Sequence, residues 1–259
     1  MNIKLISTLF GAAIIAGAMT SCEDGNVKKL KTDVALVNAS TPLPAGVMGN
    51  FSKIVYDADN NTVDFKLKYT ANSIDSAFAV NHVELCRPLI KLALNRDQQA
   101  EVLRQMSLAG ADARISYGDS EFMNIPADSI KAMLAAPLTG REAALTELNG
   151  YAALFTSRCP RTITNGAELT GVTLNDSVMV YQVSMDGKQL SAARLKNTVA
   201  EMRHTLWNAM KTEAATAQGR EYYKLLFDNN LGVEYRFAGQ NGEPMKLIFP
   251  YKEIYFLSK

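Results

Sequence analysis

The chain is poor in the side chains that most often carry catalysis or bind metals. Its 259 residues include two histidines, three cysteines and one tryptophan. His82 and His204 are far apart in the sequence, and no Gly-x-Ser-x-Gly, HExxH, phosphate-loop or dinucleotide motif is present. These absences exclude the commonest hydrolase, zinc-enzyme and nucleotide-binding signatures. We therefore expect no cofactor and no metal site.

An excess of one charge is also missing. The net charge is +1 from 27 basic and 26 acidic residues, and removal of residues 1–21 takes away only Lys4, which leaves 26 of each. A protein that binds nucleic acid needs a basic surface, so no nucleic-acid partner is implied. Hydrophobic residues make up 47% of the chain, which is ample for one core or two small ones.

The apolar run at residues 5–18 is too short for a membrane-spanning helix, which takes roughly 20 residues. It follows the positively charged Lys4 and ends in small residues. This pattern is typical of an export signal. We assign residues 1–21 as a signal peptide that is removed from the mature protein.

Residues 19–22, Met-Thr-Ser-Cys, resemble a bacterial lipobox. The resemblance implies cleavage before Cys22 and acylation of that cysteine with chains of the palmitate type. The alternative is an ordinary secretory signal with an incidental cysteine. Glu23 and Asp24 resemble the surface-export signal of Bacteroidetes lipoproteins. We expect an outer-membrane lipoprotein, periplasmic or surface-exposed, which Cys22 holds in the lipid bilayer and in which residues 22–44 form a tether.

The sequence after residue 44 predicts an internal duplication, in which one structural module occurs twice. Counting forward by 116 residues carries Arg87 to Arg203, and counting by 124 carries Pro126 to Pro250. The offset drifts because loops tolerate changes of length. The identity between the two copies is thin, so the repeat depends mainly on the order of the predicted elements.

We predict an α+β fold of two tandem similar modules. Each is an antiparallel sheet of two hairpins with two intervening helices packed on one face. Module 1 covers residues 45–134, a connecting helix covers 135–157, and module 2 covers 158–259. The alternative is a single sheet and helix layer made by both copies joining at their edges. Pro88 predicts a kink or a restart in the first long helix.

From residue 143 onward, a helix leads into Cys159 and Pro160, then a hairpin, helices and a second hairpin. In this order the chain resembles uncharacterised Bacteroidetes-type lipoproteins with a duplicated hairpin-helix-hairpin module. The resemblance covers residues 143–254 well and the first copy less well. It implies no activity.

Two cysteines remain after lipidation, Cys86 and Cys159. Cys86 falls on the apolar helix stripe at the position where the other copy has Met202, so its simplest interpretation is a buried apolar residue. We favour two free thiols over a disulfide, although an exported location favours pairing.

Two sets of acidic residues are candidates for a carboxylate pair, Asp57 with Asp59 and Glu243 with Glu253. Such a pair could serve a hydrolase. Acidic residues at hairpin tips, however, more often form turns through hydrogen bonds to the backbone. No catalytic residue is assigned on this basis.

Aromatic side chains in module 2 are the best candidates for recognition, because aromatic residues are favoured where proteins grip a partner. We single out Trp207, Tyr251 and Tyr255 as candidate binding residues. Most of the aromatic residues in this module are nevertheless expected in the core, since Tyr223, for example, matches Leu103 of the first copy.

Taken together, these features predict a membrane-anchored lipoprotein of the cell envelope that acts as a non-enzymatic binding module for a protein or glycan partner. The alternative is a cell-envelope hydrolase with an unrecognised carboxylate-based site, because carboxylate pairs assemble from distant positions.

The lipid anchor can be tested directly. We expect Cys22→Ala to release the protein from the membrane fraction and to abolish labelling by a fatty-acid analogue, because acyl chains contribute about 0.8 kcal/mol per buried methylene. Fractionation and labelling that do not change would contradict lipidation at Cys22.

Overall fold

The computed structural model describes residues 24–118, 120–164, 167–185, 192–238 and 245–259. Over these residues the chain forms two tandem α+β units, each with its own five-stranded sheet. The predicted fold class is therefore confirmed. The alternative of one shared sheet is wrong, because within the described ranges no strand of one sheet pairs with a strand of the other.

The two units share one succession of elements, except that the first has the additional helix η1 and two helices, α2 and α3, where the second has the single helix α7. The first consists of α1 (Gly25–Asn38), β1 (Leu43–Pro44), the short 3-10 helix η1 (Gly46–Met48), β2 (Asn50–Asp57), β3 (Thr62–Lys68), α2 (Ser76–Asn81), α3 (Val83–Leu94), α4 (Asp97–Ala109), β4 (Asp112–Tyr117), β5 (Ser120–Ile125) and α5 (Ala127–Ala135). The second consists of α6 (Gly140–Ser157), β6 (Arg161–Thr164), β7 (Ala167–Leu174), β8 (Val178–Met185), α7 (Ala192–Ala214), α8 (Ala217–Asp228), β9 (Gly232–Ala238), β10 (Met245–Phe249), α9 (Tyr251–Ile254) and the 3-10 helix η2 (Tyr255–Leu257).

Each sheet is mixed, which corrects the prediction of antiparallel sheets. The strand orders are β1-β2-β3-β4-β5 and β10-β9-β8-β7-β6. The central pairs, β3 with β4 and β8 with β9, are parallel, and the other neighbours are antiparallel. A parallel pair needs a long crossover, which the helices between the two hairpins supply. The short strands β1 and β6 add a fifth strand that was not predicted.

The first hairpin turns where the sequence predicts it. The Asp57 carboxylate accepts hydrogen bonds from the backbone N–H groups of Asp59 and Asn60 and from the Asn60 side chain. The hydrogen bond from the Asn60 side chain is the main cause that lowers the pKa of Asp57. Asn61 has a φ of 47°, a left-handed conformation that asparagine tolerates well. Asp57 and Asp59 therefore form a turn and not a catalytic pair.

Residues 25–38 form a helix, so the predicted tether at residues 22–44 is wrong over most of its length. Leu30, Val34 and Val37 are buried, at the spacing that puts them on one helix face. That face packs on α4 and β2. The lysines around it are exposed, and their number hid the amphipathic pattern.

The predicted connecting helix at 135–157 is also corrected. Helix α6 packs on β7 and α8, as α1 packs on β2 and α4, so it is the first element of the second unit. In both units a proline after a cis peptide bond, Pro42 or Pro160, follows this helix. We call residues 25–135 the first repeat and residues 140–257 the second repeat.

The first long helix restarts at His82 rather than at Pro88, which lies inside α3. The His82 ring stacks on Phe78 with 4.0 Å between centroids, and its Nδ1 lies 2.9 Å from the Phe78 carbonyl oxygen. These contacts close α2 before α3 begins. Within the described part of the chain, none of the helices combines the length and the hydropathy needed to cross a membrane.

The two repeats are joined by polar contacts and by one close approach of helices. Arg96, before α4, donates to the buried Glu147 carboxylate on α6. Arg158 donates to the carbonyl oxygens of Ala71 at 2.8 Å and Ser73 at 3.3 Å. At Gly150 a side chain would meet Val47 and Leu89 of the first repeat, so glycine permits α6 to approach that closely. A buried charge therefore lies at the junction between the repeats.

Because Glu147 is buried, removal of its partner Arg96 should change the free energy of unfolding by an amount that depends on pH. Burial raises the pKa of Glu147, and Arg96 opposes this rise. The folded chain thus holds the Glu147 proton more tightly than the unfolded chain, so this residue's contribution to stability falls as pH rises above 4.5. Removal of Arg96 raises the folded-state pKa further and leaves a buried carboxylate unpaired at neutral pH.

We expect Arg96→Met to lower the free energy of unfolding by about 2 kcal/mol at pH 7.5 and by clearly less at about pH 5, measured by urea denaturation. Arg104→Met is the matched control, because Arg104 and Glu101 form an exposed pair that should contribute about 0.5 kcal/mol or less at both pH values. An equal loss for Arg96→Met at both pH values would contradict this account.

Candidate functional site

The second repeat contains a cavity of about 380 Å³ between its sheet and its helices. Its walls come from α6, α7 and α8 and from the strands β6 to β9. Small-molecule sites in proteins range from about 300 to 1,000 Å³. The cavity is therefore of a size for a small molecule. The side chains that matter below are Tyr151, Tyr181, Tyr222, Tyr235, Arg161 and Glu213.

Three of the tyrosines lie at positions where the first repeat has apolar core. At offsets of 116 and 120 residues, Tyr181 matches Phe65, Tyr222 matches Val102 and Tyr235 matches Ile115. The strand register supports the match, because Tyr181 lies opposite Tyr235 in one parallel pair as Phe65 lies opposite Ile115 in the other. The three counterparts in the first repeat are fully buried. The second repeat thus has hydroxyl groups where the first has only hydrocarbon.

The tyrosine hydroxyl groups form a buried polar cluster. Those of Tyr181 and Tyr222 lie 2.8 Å apart, and either can donate. The Tyr181 ring stacks on Tyr235 with 5.0 Å between centroids. Burial raises the pKa of all three hydroxyl groups above the usual value. They are therefore neutral across the physiological range and can both donate and accept hydrogen bonds.

A carboxylate lies at the edge of this cluster. The Tyr223 hydroxyl donates to Glu213 Oε2 at 2.8 Å. Glu213 belongs to the last turns of α7, and α8 starts three residues after that helix ends. A side chain on Gly219 would overlap the Glu213 backbone carbonyl, so glycine permits the tight junction of α7 and α8. This junction sets the position of the carboxylate relative to the tyrosines of α8.

Two arginines also line the cavity, and their guanidinium groups differ in their hydrogen-bond partners. Arg158 is engaged by carbonyl oxygens of the first repeat. Arg161 begins the edge strand β6 and pairs with β7 through its backbone, but among the described residues its guanidinium has neither a hydrogen bond nor an ion pair. The cavity therefore combines aromatic walls, neutral hydroxyl groups, one carboxylate and one guanidinium with free hydrogen-bonding capacity.

A wider cleft of about 660 Å³ lies next to the cavity, between the repeats. The two spaces share Tyr151, Asn72 and Gln218 as lining residues. Gln218 donates to the Asn72 carbonyl oxygen at 2.6 Å, a further contact between the repeats. The side chains that line the cleft are more polar than those that line the cavity, and they include the paired Arg96 and Glu147.

The aromatic residues predicted as binding residues lie outside the cavity. Trp207 is half-buried on α7, where it stacks on Phe249 with 5.9 Å between centroids. Tyr251 and Tyr255 both contact the Phe227 ring, at centroid distances of 6.4 and 5.2 Å. The structure thus brings Tyr251 and Tyr255 into one surface cluster and keeps Trp207 apart. Their role in binding stays a prediction.

The remaining predicted residues do not come together. Cys86 is buried in the first repeat and Cys159 is half-buried in the second, and both thiols are free. His204 is exposed and contacts Asn208 on its own helix. Within the described residues, no group of three or more His, Cys, Asp or Glu could hold a metal ion.

Neither proposed carboxylate pair forms a described site. Glu253 is held by the Arg203 guanidinium, whose Nη2 lies 2.8 and 2.6 Å from the two carboxylate oxygens. Its suggested partner Glu243 lies outside the described residues, as does Cys22, so lipidation at Cys22 stays a prediction. Glu253 therefore fixes α9 to α7 and has no free oxygen for chemistry.

The site that the structure reveals was missed at Tyr181, Tyr222 and Tyr235. A signal was present, because the repeat offsets place each tyrosine on an apolar residue of the first copy. A change from hydrocarbon to hydroxyl at three matched core positions indicates a polar requirement inside the second repeat. The open space beside these tyrosines depends on where the helices lie, and the sequence pattern does not predict that.

The junction that shapes the cavity predicts the effect of adding one methyl group. We expect Gly219→Ala to lower the free energy of unfolding by about 2 kcal/mol despite alanine's better helix propensity, because the methyl group overlaps backbone atoms. Gly171→Ala is the control, since nothing lies within 4 Å of a side chain there, and its effect should be about 0.5 kcal/mol or less. Chemical denaturation of both variants measures the difference. If Gly219→Ala is as stable as the natural protein, α7 and α8 are not as close at Gly219 as the structure shows.

Comparison with known proteins adds little to this description. The chain matches no protein-family model, and no curated protein matches it in sequence. Among solved structures it is similar to the crystal structure of a “putative secreted protein” from Pseudomonas aeruginosa, with 15% identity and a TM-score of 0.31, over 40% of this chain and 85% of the other. A likeness this weak supports no inference about fold or function.

Proposed function

We propose that the protein is a lipoprotein of the bacterial cell envelope, anchored through Cys22, and that its second repeat binds a small ligand in the tyrosine-lined cavity. The observation that supports this most is the contrast between the repeats. Tyr181, Tyr222 and Tyr235 are buried and bring hydroxyl groups to the wall of a cavity, whereas their buried counterparts in the first repeat are purely apolar.

The contrast matters because it is unfavourable for stability. Burying a hydroxyl group is unfavourable unless the group finds a hydrogen-bond partner. Leaving space unfilled in a core also gives up packing free energy. In the second repeat the hydroxyl groups of Tyr181 and Tyr222 bond to each other, but the Tyr235 hydroxyl has no hydrogen bond among the described residues, and the space beside it is unfilled. A ligand that fills the space and bonds to the Tyr235 hydroxyl accounts for both features.

The anchor would hold the folded body close to the bilayer. Asp24 caps α1 by accepting a hydrogen bond from the backbone N–H of Asn26 at 3.0 Å. Two residues, Glu23 and Asp24, separate Cys22 from Gly25, where the helix begins, and the three residue steps reach at most about 10 Å. The first turns of α1, with exposed Lys28 and Lys29, would then face the lipid headgroups. This placement applies on either side of the outer membrane.

A cell-envelope hydrolase is the alternative, and it would need a carboxyl group able to give or take a proton. Glu147 and Glu221 line the cleft between the repeats, and burial raises the pKa of Glu147. The Arg96 guanidinium, however, donates to that carboxylate in the pair that joins the repeats. Glu147 therefore has a structural use that explains its burial, and binding in the cavity is the better supported function.

The cavity proposal can be tested with protein recovered from its own membranes. We expect native mass spectrometry to show a small molecule bound to the natural protein. Occupancy should fall by about tenfold in Tyr235→Phe, which keeps the ring and removes one hydrogen bond worth roughly 1.5 kcal/mol. The bound molecule should be lost in a triple variant with the residues of the first repeat, Tyr181→Phe, Tyr222→Val and Tyr235→Ile.

Trp207→Ala is the matched control, because Trp207 is an aromatic residue of the same repeat that does not line the cavity. This variant should retain the bound molecule. Loss of the molecule from Trp207→Ala together with retention in the triple variant would move binding to the surface aromatic residues and contradict the cavity proposal. Turnover of generic esters or glycosides that disappears in Glu147→Gln would support the hydrolase instead.

A further inference from the structure

The polar groups of the cavity also indicate what kind of ligand it takes, which rests on the function proposed above. Arg161 and Glu213 both line the cavity. Arg161 is on the edge strand β6, and Glu213 is on α7. Side chains of opposite charge in one cavity commonly pair with each other, but no ion pair joins these two in the described part of the chain. Both residues are exposed, so they lie at the opening of the cavity, where each is available to a charged group of a ligand.

The two charges act on the same buried hydroxyl group. Burial raises the pKa of Tyr235, the Glu213 carboxylate raises it further, and the Arg161 guanidinium lowers it. Both charges thus lie within electrostatic range of one tyrosine that lines the cavity. A ligand bound against Tyr235 in this cavity would lie near both a negative and a positive group.

Each charged group has hydrogen-bonding capacity to spare. Glu213 Oε2 accepts from Tyr223, and among the described residues Oε1 has no partner. Arg161 presents its whole guanidinium, which suits a carboxylate in a two-point contact. The walls between them are apolar, with Leu206, Met210 and Leu169. The arrangement complements a molecule that has an ammonium group, a carboxylate and an apolar body.

We propose that the cavity binds a zwitterion with an apolar side chain, namely a free α-amino acid or a dipeptide. The carboxylate of the ligand meets Arg161, its ammonium group meets Glu213 and the hydroxyl of Tyr235, and its side chain contacts Leu206 and Met210. The small volume fits this class, since about 380 Å³ lies at the lower end of the range for ligand sites. A folded protein partner or a long polymer would not fit inside.

Calorimetric titration of the detergent-solubilised full-length protein, after exhaustive dialysis, tests this class. The probes are L-leucine, leucyl-leucine, leucinamide, N-acetyl-leucine and glucose. We expect leucine or its dipeptide to bind. Leucinamide lacks the carboxylate and N-acetyl-leucine lacks the ammonium group, so each should bind at least about tenfold more weakly, in line with one charged hydrogen bond.

Two variants separate recognition from folding. Arg161→Gln should abolish the preference for leucine over leucinamide, and Glu213→Gln should abolish the preference for leucine over N-acetyl-leucine. Arg161→Lys should restore part of the first preference. Lys211→Gln, which removes a charge from α7 outside the cavity, should leave both preferences unchanged.

The proposal is overturned if blocking either charge leaves the affinity unchanged, if glucose binds and leucine does not, or if none of the amino acids binds. These outcomes differ from failure of the proposed function. A bound molecule that the triple tyrosine variant loses, but that carries no ammonium or carboxylate group, would keep the cavity as a binding site and reject a zwitterion as its ligand.

Discussion

Parallel pairing at the centre of each sheet is the constraint on which the rest of the structure depends. Strands β3 and β4, and likewise β8 and β9, are parallel neighbours that belong to different hairpins. A chain can make such a pair only through a crossover, and here helices provide it. The helices must then lie on one face of the sheet, where they enclose the side chains of the parallel strands. Tyr181 and Tyr235 are such side chains, so the cavity lies where the topology forms the core.

The duplicated fold provides an internal reference for this core. Phe65 and Ile115 show that this position of the fold can be filled by apolar side chains, because both are fully buried. The second repeat keeps the same register and replaces them with tyrosines around an open space. Polar contacts of Arg96 and Arg158 join the two repeats.

Much of the fold was predictable because it depends on patterns that repeat along the chain. The apolar stripe of the long helices and the turn at Asp57 are local signals, and both correspond to elements in the structure. Helix α1 was missed because its lysines suggest a solvated spacer, although Leu30, Val34 and Val37 already have helical spacing. Parallel pairing was missed because alternation along a strand does not reveal the direction of its neighbour.

The candidate site was harder to predict for a different reason. Burial of Tyr222 and Tyr223 follows from the match to the first copy, and the structure agrees. An empty volume, however, is a property of how helices are placed around those residues. Gly219 shows this, because its missing side chain determines how closely α8 approaches α7. Trp207 was favoured as an aromatic residue of the second module, yet it packs on Phe249 and does not line the cavity.

The most direct test of the account is an experimental structure of the protein crystallised as purified from its native membranes. The account predicts density for a small molecule in the cavity of the second repeat, in contact with the Tyr235 hydroxyl, with the counterpart region around Phe65 and Ile115 filled by side chains. A second repeat whose tyrosines close on one another, with no space between the sheet and α7 and α8, would contradict it.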